Sequence, residues 1–204
     1  SLVIRQLGEI SYSDTLKAMQ KFTEYRNSDT DDEIWLLQHP PVFTMGRTRK
    51  DEHILVKTNI PVIQTDRGGD ITYHGPGQII AYVLIDLRRR RLGVRQFVNA
   101  LEDVVIKTLS HWQLAAKRYK NRPGVFVGEA KIASIGLRVQ KGCSYHGISL
   151  NVSMDLSPWS LVKPCGLDIP ITQLCDLIDS KIEKKDVLEI FTNHLCNTLN
   201  YTKK

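Results

Sequence analysis

Apolar positions along this chain fall into two rhythms, and each rhythm predicts its own kind of element. Helical spacing appears in residues 14–26, where Leu16, Met19 and Phe22 lie near one face and Ser11 or Ser13 can cap the start. It is clearest in 94–112, where Val94, Phe97, Val98, Leu101, Val104, Val105, Leu109 and Trp112 form one stripe. Two further amphipathic helices are predicted near 171–177 and over 186–199, the latter with Val187, Ile190, Phe191, Leu195 and Leu199 in register. Strand-like runs fill the middle. Residues 33–38 form one, closed by His39-Pro40-Pro41, and 42–45 and 61–64 are shorter ones. The run Ile79-Ile80-Ala81-Tyr82-Val83-Leu84-Ile85 has strand length and no helical period, which predicts a central strand buried on both faces. Residues 124–128 and 131–139 read as a hairpin turning at Glu129-Ala130, and 144–152 adds a third strand to make a meander. The charged stretch 46–53 reads as a mobile loop, and 154–167, with two prolines and a glycine, as irregular. Strands crowd the centre and helices both ends. The predicted class is α+β, a single domain with one layer of mixed or antiparallel sheet flanked by helices.

One stretch breaks both rhythms. Arg67-Gly68-Gly69-Asp70-Ile71-Thr72-Tyr73-His74-Gly75-Pro76-Gly77-Gln78 leads straight into the central strand. Its four glycines allow backbone conformations that a Cβ forbids, and Pro76 stiffens a turn. A plain connection between strands needs one or two glycines and no such variety of side chains. Arg, Thr, Tyr, His and Gln on a rigid loop at the mouth of a core strand predict the wall of a binding pocket.

Composition narrows the chemistry. Charged residues make up 25% of 204, and no apolar run approaches the length of a membrane span. Residues 1–5 lack the layout of a signal peptide. Cys143, Cys165, Cys175 and Cys196 are irregularly spaced, which suggests neither a disulfide framework nor a metal site. A reducing cytoplasm is the expected location. The net charge of +6 permits an acidic partner. The run Arg88-Arg89-Arg90-Arg91 reads either as a solvated turn or as a docking patch. Nucleic acid is disfavoured, because no aromatic residue interleaves with these arginines. Phosphate-loop, dinucleotide-binding, zinc-hydrolase and serine-elbow motifs are absent from the sequence.

A cysteine in an unusual setting remains. Cys165 lies in Lys163-Pro164-Cys165-Gly166, where Pro and Gly fix a bend that can hold a thiol outward. A small buried hydrophobe is the alternative there, and it is the reading for Cys143, Cys175 and Cys196. A nucleophilic thiol must ionise. Lowering its pKa from about 8.5 to about 7 requires roughly 2 kcal/mol. One ammonium at about 4 Å supplies up to about 4 kcal/mol at an effective dielectric near 20, so a single lysine suffices. Lys131, among Gly128, Ala130, Ala133, Ser134 and Gly136, is the candidate; an edge-strand lysine facing water is the alternative.

Four motifs now combine: 67–78, Gly128-Glu-Ala-Lys-Ile-Ala-Ser-Ile-Gly136, His146-Gly-Ile-Ser-Leu-Asn-Val152 and Lys163-Pro-Cys-Gly166. In order and spacing they resemble the octanoyltransferase family, also called lipoate-protein ligase B, over nearly the whole chain. The resemblance implies a fold like the catalytic domains of biotin and lipoate ligases. It implies transfer of an octanoyl group from octanoyl-acyl carrier protein to a lysine of lipoyl domains of 2-oxoacid dehydrogenases or of glycine-cleavage H protein. No cofactor and no metal are implied. By that likeness Cys165 is the acyl-thioester nucleophile, and Lys131 lowers its pKa and shuttles protons. Arg67, Gly68, Gly69, Asp70, Ile71, Thr72, Tyr73 and His74, with Ser134, Ile135 and Gly136 and with Gly147, Ile148 and Ser149, match the acyl-substrate segments. The family commonly has alanine where this chain has Ser149, which makes that wall slightly more polar. Backbone N–H groups near 131–135 or 75–78 are the candidates for stabilising the oxyanion. His74 is expected to hydrogen-bond across the pocket and His146 to be structural. Arg88–Arg91, or Arg47, Arg49 and Lys50, are candidates for docking the acidic partners. The rival readings are an ATP-dependent lipoate or biotin ligase on the same fold and a non-catalytic module that binds acyl carrier protein.

Overall fold

The computed structural model describes residues 1–48, 53, 57–163 and 168–202. Its largest sheet has seven strands in the order β1-β2-β6-β10-β9-β8-β7, formed by β1 (Leu2–Glu9), β2 (Asp32–Gln38), β6 (Gln78–Leu84), β10 (Cys143–Asn151), β9 (Ala130–Gln140), β8 (Arg122–Val127) and β7 (Ala116–Tyr119). Every neighbouring pair is antiparallel except β1 and β2. The unbroken apolar run does become the centre of this sheet, because both its faces are covered. Ile79, Ala81 and Val83 of β6 pack with Ile34 and Leu36 of β2 against α2 (Val94–Ser110) and α4 (Lys184–Thr198). The alternate residues Ile80, Tyr82 and Leu84 join Trp35, Leu37 and Met19 of α1 (Tyr12–Tyr25) on the opposite face. The predicted stripe of α2 is its buried side: Phe97, Leu101, Val104, Val105 and Leu109 are fully enclosed, each contributing roughly 1.5–3 kcal/mol relative to exposure. Ser11 is the serine that caps α1, accepting from the Asp14 amide.

A second sheet departs from the one-layer expectation. Its strands run β4 (Val62–Gln64), β3 (Val42–Met45), β5 (Ile71–His74), with β3 parallel to β4 and antiparallel to β5. Strand β5 lies inside the glycine-rich stretch, whose glycines masked its four-residue length. This small sheet, with the 67–70 turn, meets the α1 face of the large sheet, and the cavity described below lies between them. Strand β1 also escaped the pattern, since it is an edge with no strongly buried residue and a bulge between Gln6 and Gly8. The helix expected at 171–177 is a single turn, α3 (Leu174–Leu177). Residues Ser157–Leu161 form a 3-10 turn that buries Trp159 beside Tyr73. Of the charged loop at 46–53, Arg49, Lys50, Asp51 and Glu52 lie outside the described residues.

The arginine run serves the interior as much as the surface. Asp32, 1% exposed, accepts from Arg26 Nη2 at 2.7 Å, Arg89 Nη2 at 2.7 Å, the Asp86 amide at 2.8 Å and Tyr201 Oη at 2.5 Å. Arg90 stacks on the Tyr201 ring at 4.3 Å and donates to the Leu199 carbonyl. Two of the four arginines thus fasten the C-terminal segment and the end of α1 to the sheet, while Arg88 stays exposed beside Asp86.

Candidate active site

The cavity, counted together with its open mouth, spans about 710 Å³. Its walls come from the 67–74 stretch, from Lys131, Ser134, Ile135 and Gly136 on β9, and from Gly147, Ile148 and Ser149 on β10. The two β-strand segments face one another because the ladder pairs Gly147 with Gly136, Ile148 with Ile135 and Ser149 with Ser134. All the lining residues expected from sequence converge on this cavity except Tyr73. Alternation along β5 explains the exception. Thr72 and His74 take the cavity side, while Tyr73 points away into a cluster with Phe43 and Trp159.

Arg67 is the keystone of the roof rather than an open cation. Its Nη2 donates to the carbonyl and to Oγ1 of Thr44, both at 2.8 Å, and Nη1 donates to the Gly68 carbonyl at 2.8 Å. The roof closes because residue 46 is glycine: a Cβ there would lie 2.1 Å from the Gly69 carbonyl oxygen. Asp70 accepts from the Ile71 amide and pairs with His53, whose own carbonyl accepts from the Lys163 amide at 2.8 Å.

Histidines and tyrosines build one end of the cavity. His39 Nδ1 lies 2.6 Å from the Ile10 carbonyl, which can only accept, so Nδ1 carries the proton and Nε2 accepts from Tyr82 Oη at 2.8 Å. Gln78 donates both amide hydrogens, to the Tyr73 carbonyl and to Asn151 Oδ1, leaving its Oε1 to accept from His74 Nδ1 at 2.8 Å. His74 thus bonds along its own turn rather than across the pocket. Burial holds both rings neutral, pushing His39 down to about 4 and His74, further disfavoured by His39, down to about 3. His146 lines the cavity and donates from Nε2 to Asp66 Oδ1 at 2.8 Å. Burial pushes its pKa down while Asp66 opposes the shift. Burial raises the Asp66 carboxyl, but hydrogen bonds from His146, Tyr145 and Gln20 outweigh it and hold Asp66 well below the usual range.

Lys131 is 6% exposed on β9, which runs between β8 and β10 and is no edge. Its amide donates to the Pro170 carbonyl at 2.8 Å and its carbonyl accepts from the Thr172 amide at 2.9 Å. The amide is therefore engaged, as are those of Gly77, which donates to Gln38 Oε1, and Gln78, which donates to the Gly75 carbonyl at 3.3 Å, so these candidate oxyanion donors are already committed. Cys165 lies outside the described residues. The residues flanking 164–167 are Lys163 and Asp168, whose charged groups meet at 3.4 Å. Burial pushes the Cys143 thiol up, as fits an inert thiol.

Residues 11–196 match the family described as Lipoyl protein ligase A/B catalytic domain. An octanoyltransferase of Photorhabdus laumondii subsp. laumondii is 50% identical over 202 residues, covering 98% of this chain and 94% of that protein. The chain belongs to the octanoyltransferase family. Structural likeness reaches further than sequence. A bi-partite lipoate protein ligase from Thermoplasma acidophilum superposes with a TM-score of 0.76 at 18% identity, over all of this chain and 86% of that one. A biotin protein ligase from Aquifex aeolicus in complex with biotin and ATP gives 0.58 at 14% identity, over 98% and 70%. The expected ligase-like α+β fold is therefore present in this member of the octanoyltransferase family. His146, expected to be structural, lines the cavity, and four further cavity residues went unpredicted: Tyr12, Tyr82, Pro123 and Trp159. Each sits in an element read as plain scaffold or irregular chain. Only the polar tips on Tyr12 and Tyr82, placed among core positions, hinted at a wet neighbour.

Proposed function

We propose that this chain carries an octanoyl group from octanoyl-acyl carrier protein to a lysine of a lipoyl domain or glycine-cleavage H protein, through a thioester on Cys165. Octanoyl transfer is the activity named for its relatives of about 50% identity. An acyl donor and a protein acceptor of the lipoyl type are the general partners; the particular ones are part of the proposal. The observation that carries the reading is a lysine buried in the middle of a sheet, on the wall of a half-open cavity, hydrogen-bonded through its backbone to residues 170 and 172.

The Cys165 thiolate attacks the thioester carbonyl of the donor. Collapse of the tetrahedral oxyanion forms the Cys165 thioester and expels the carrier's thiol, which takes its proton from the Lys131 ammonium. Lys131, now an amine, removes a proton from the incoming lysine ammonium. That amine attacks the acyl-enzyme, the C–N bond forms as the C–S bond breaks, the remaining surplus proton goes to solvent, and Cys165 leaves as thiolate. The reaction exchanges a thioester for an amide and runs downhill without ATP. The experiment is mass spectrometry after incubation with octanoyl-acyl carrier protein and no nucleotide. One octanoyl increment is expected on the wild type and none on Cys165→Ala. An increment that survives in Cys165→Ala, or that requires ATP, overturns the reading in favour of a ligase; none on either protein favours a binding module.

A further inference from the structure

Strand β8 surrounds Lys131 with an arrangement the transfer reaction does not by itself call for. Phe126 pairs directly with Lys131 in the β8–β9 ladder and is fully buried. The Lys131 ammonium lies 5.7 Å from the centre of the Phe126 ring. The same ring takes the Arg122 guanidinium at 4.7 Å, and Tyr119 packs on it at 5.2 Å with a 77° interplanar angle. Two residues before Phe126, Gly124 has a φ of +109°, and a Cβ built there would stand 3.0 Å from Lys131 Cε and 2.5 Å from the Ala133 carbonyl oxygen. A side chain at 124 would push the lysine stem out of its place.

We propose that Phe126 is a positioning residue for octanoyl transfer, its ring holding the Lys131 ammonium at the cavity wall in a slot that Gly124 leaves open. The inference rests on Lys131 being the group that serves the Cys165 thiolate. A ring quadrupole attracts a cation and not an amine, and does so more strongly where water is excluded. Phe126 therefore favours the charged form of Lys131 and fixes its direction without adding an anion, which would compete with the thiolate for the same ammonium. Charged groups among the described residues on the neighbouring elements include Arg122, its partner Glu129 at 3.1 Å, and Arg67 and Asp70 on the cavity wall. Arg122 opposes the ammonium and Glu129 offsets it; Arg67 is held by Thr44 and Asp70 by His53.

The test replaces Phe126 by 4-fluoro- and 3,4,5-trifluorophenylalanine, which keep the ring nearly the same size while draining its quadrupole, alongside Phe126→Tyr and Phe126→Leu. The readout is the pH profile of kcat/KM with octanoyl-acyl carrier protein. With the ring weakened, the ammonium loses its proton at lower pH, so the alkaline limb should move to lower pH stepwise with fluorination. At pH 8 the trifluoro form should fall about tenfold, and Phe126→Tyr, whose ring quadrupole is kept, should leave the alkaline limb at its wild-type pH. A profile that ignores fluorination overturns the proposal, whether Phe126→Leu is active, which removes any role, or inactive, which leaves only packing. Lys131→Ala is the separating control. If it keeps full transfer, the reading of the site falls and this inference with it; if it is inactive while fluorination does nothing, this inference alone falls.

Discussion

Two neutral histidines, His74 on the cavity wall and His39 packed beside it, make the fold sensitive to mild acid. His39 is fully buried, donating to the Ile10 carbonyl and accepting from Tyr82. Burial holds its pKa at about 4 against an ordinary 6.5, and that of His74, its neighbour at 5.8 Å between ring centres, at about 3. Both folded-state values lie below the unfolded one, so the unfolded chain binds protons first as pH falls. The stability these rings contribute is complete above about pH 6.5 and is lost progressively toward their folded values. At about 1.4 kcal/mol per pH unit, the loss on going from pH 7.5 to 5.0 is on the order of 2 kcal/mol for each ring. Urea unfolding at these two pH values should show a wild-type difference of a few kcal/mol. In His39→Asn, whose amide nitrogen can still donate to Ile10, the difference should shrink by about 2 kcal/mol. A His39→Asn protein that keeps the full pH dependence would refute the reasoning, as would a wild type that loses less than about 1 kcal/mol.

Other consequences can be measured separately. Lys131→Arg keeps a cation but cannot accept a proton near neutral pH, so the octanoyl-Cys165 adduct should accumulate by mass spectrometry while overall transfer falls about 10²–10⁴-fold; turnover at the wild-type rate would contradict the proton-shuttle role. A Cβ at position 136 would sit 3.1 Å from Arg67 Cδ and 3.3 Å from the Gly68 carbonyl oxygen, lowering the cavity roof. Gly136→Ala should raise KM for the octanoyl donor and shift preference toward shorter acyl chains in a chain-length series; an unaltered series would place the acyl chain elsewhere. Asp32→Asn removes the carboxylate shared by Arg26 and Arg89, leaving buried charge without its partner, and should cost about 3–5 kcal/mol in denaturant unfolding with the cavity chemistry intact. A loss below about 1 kcal/mol would mean that Arg26 and Arg89 find other partners.

The sequence alone determined the elements whose burial is uniform. A run such as residues 79–85 can only be a strand covered on both faces, and the α2 stripe can only be a helix seated on a core, because apolar spacing reports directly which side leaves water. It also marked residues 67–74, since glycines and mixed polar groups beside a core strand have no use in packing, whereas 134–136 and 147–149 were marked only through the resemblance to the octanoyltransferase family. Only the tertiary structure decided what those residues do. That Tyr73 turns away from the cavity follows from the pairing of β5 with β3, a long-range contact that local spacing does not encode. That Arg67 is spent on Thr44, that Arg89 ties the chain after α1 to Asp32 while Arg90 clamps the C-terminal segment, and that Phe126 faces Lys131 all depend on residues brought together from distant parts of the chain. Hydrophobicity is a property of each residue and can be read one position at a time. Partnership is a property of pairs, and the fold alone makes the pairs.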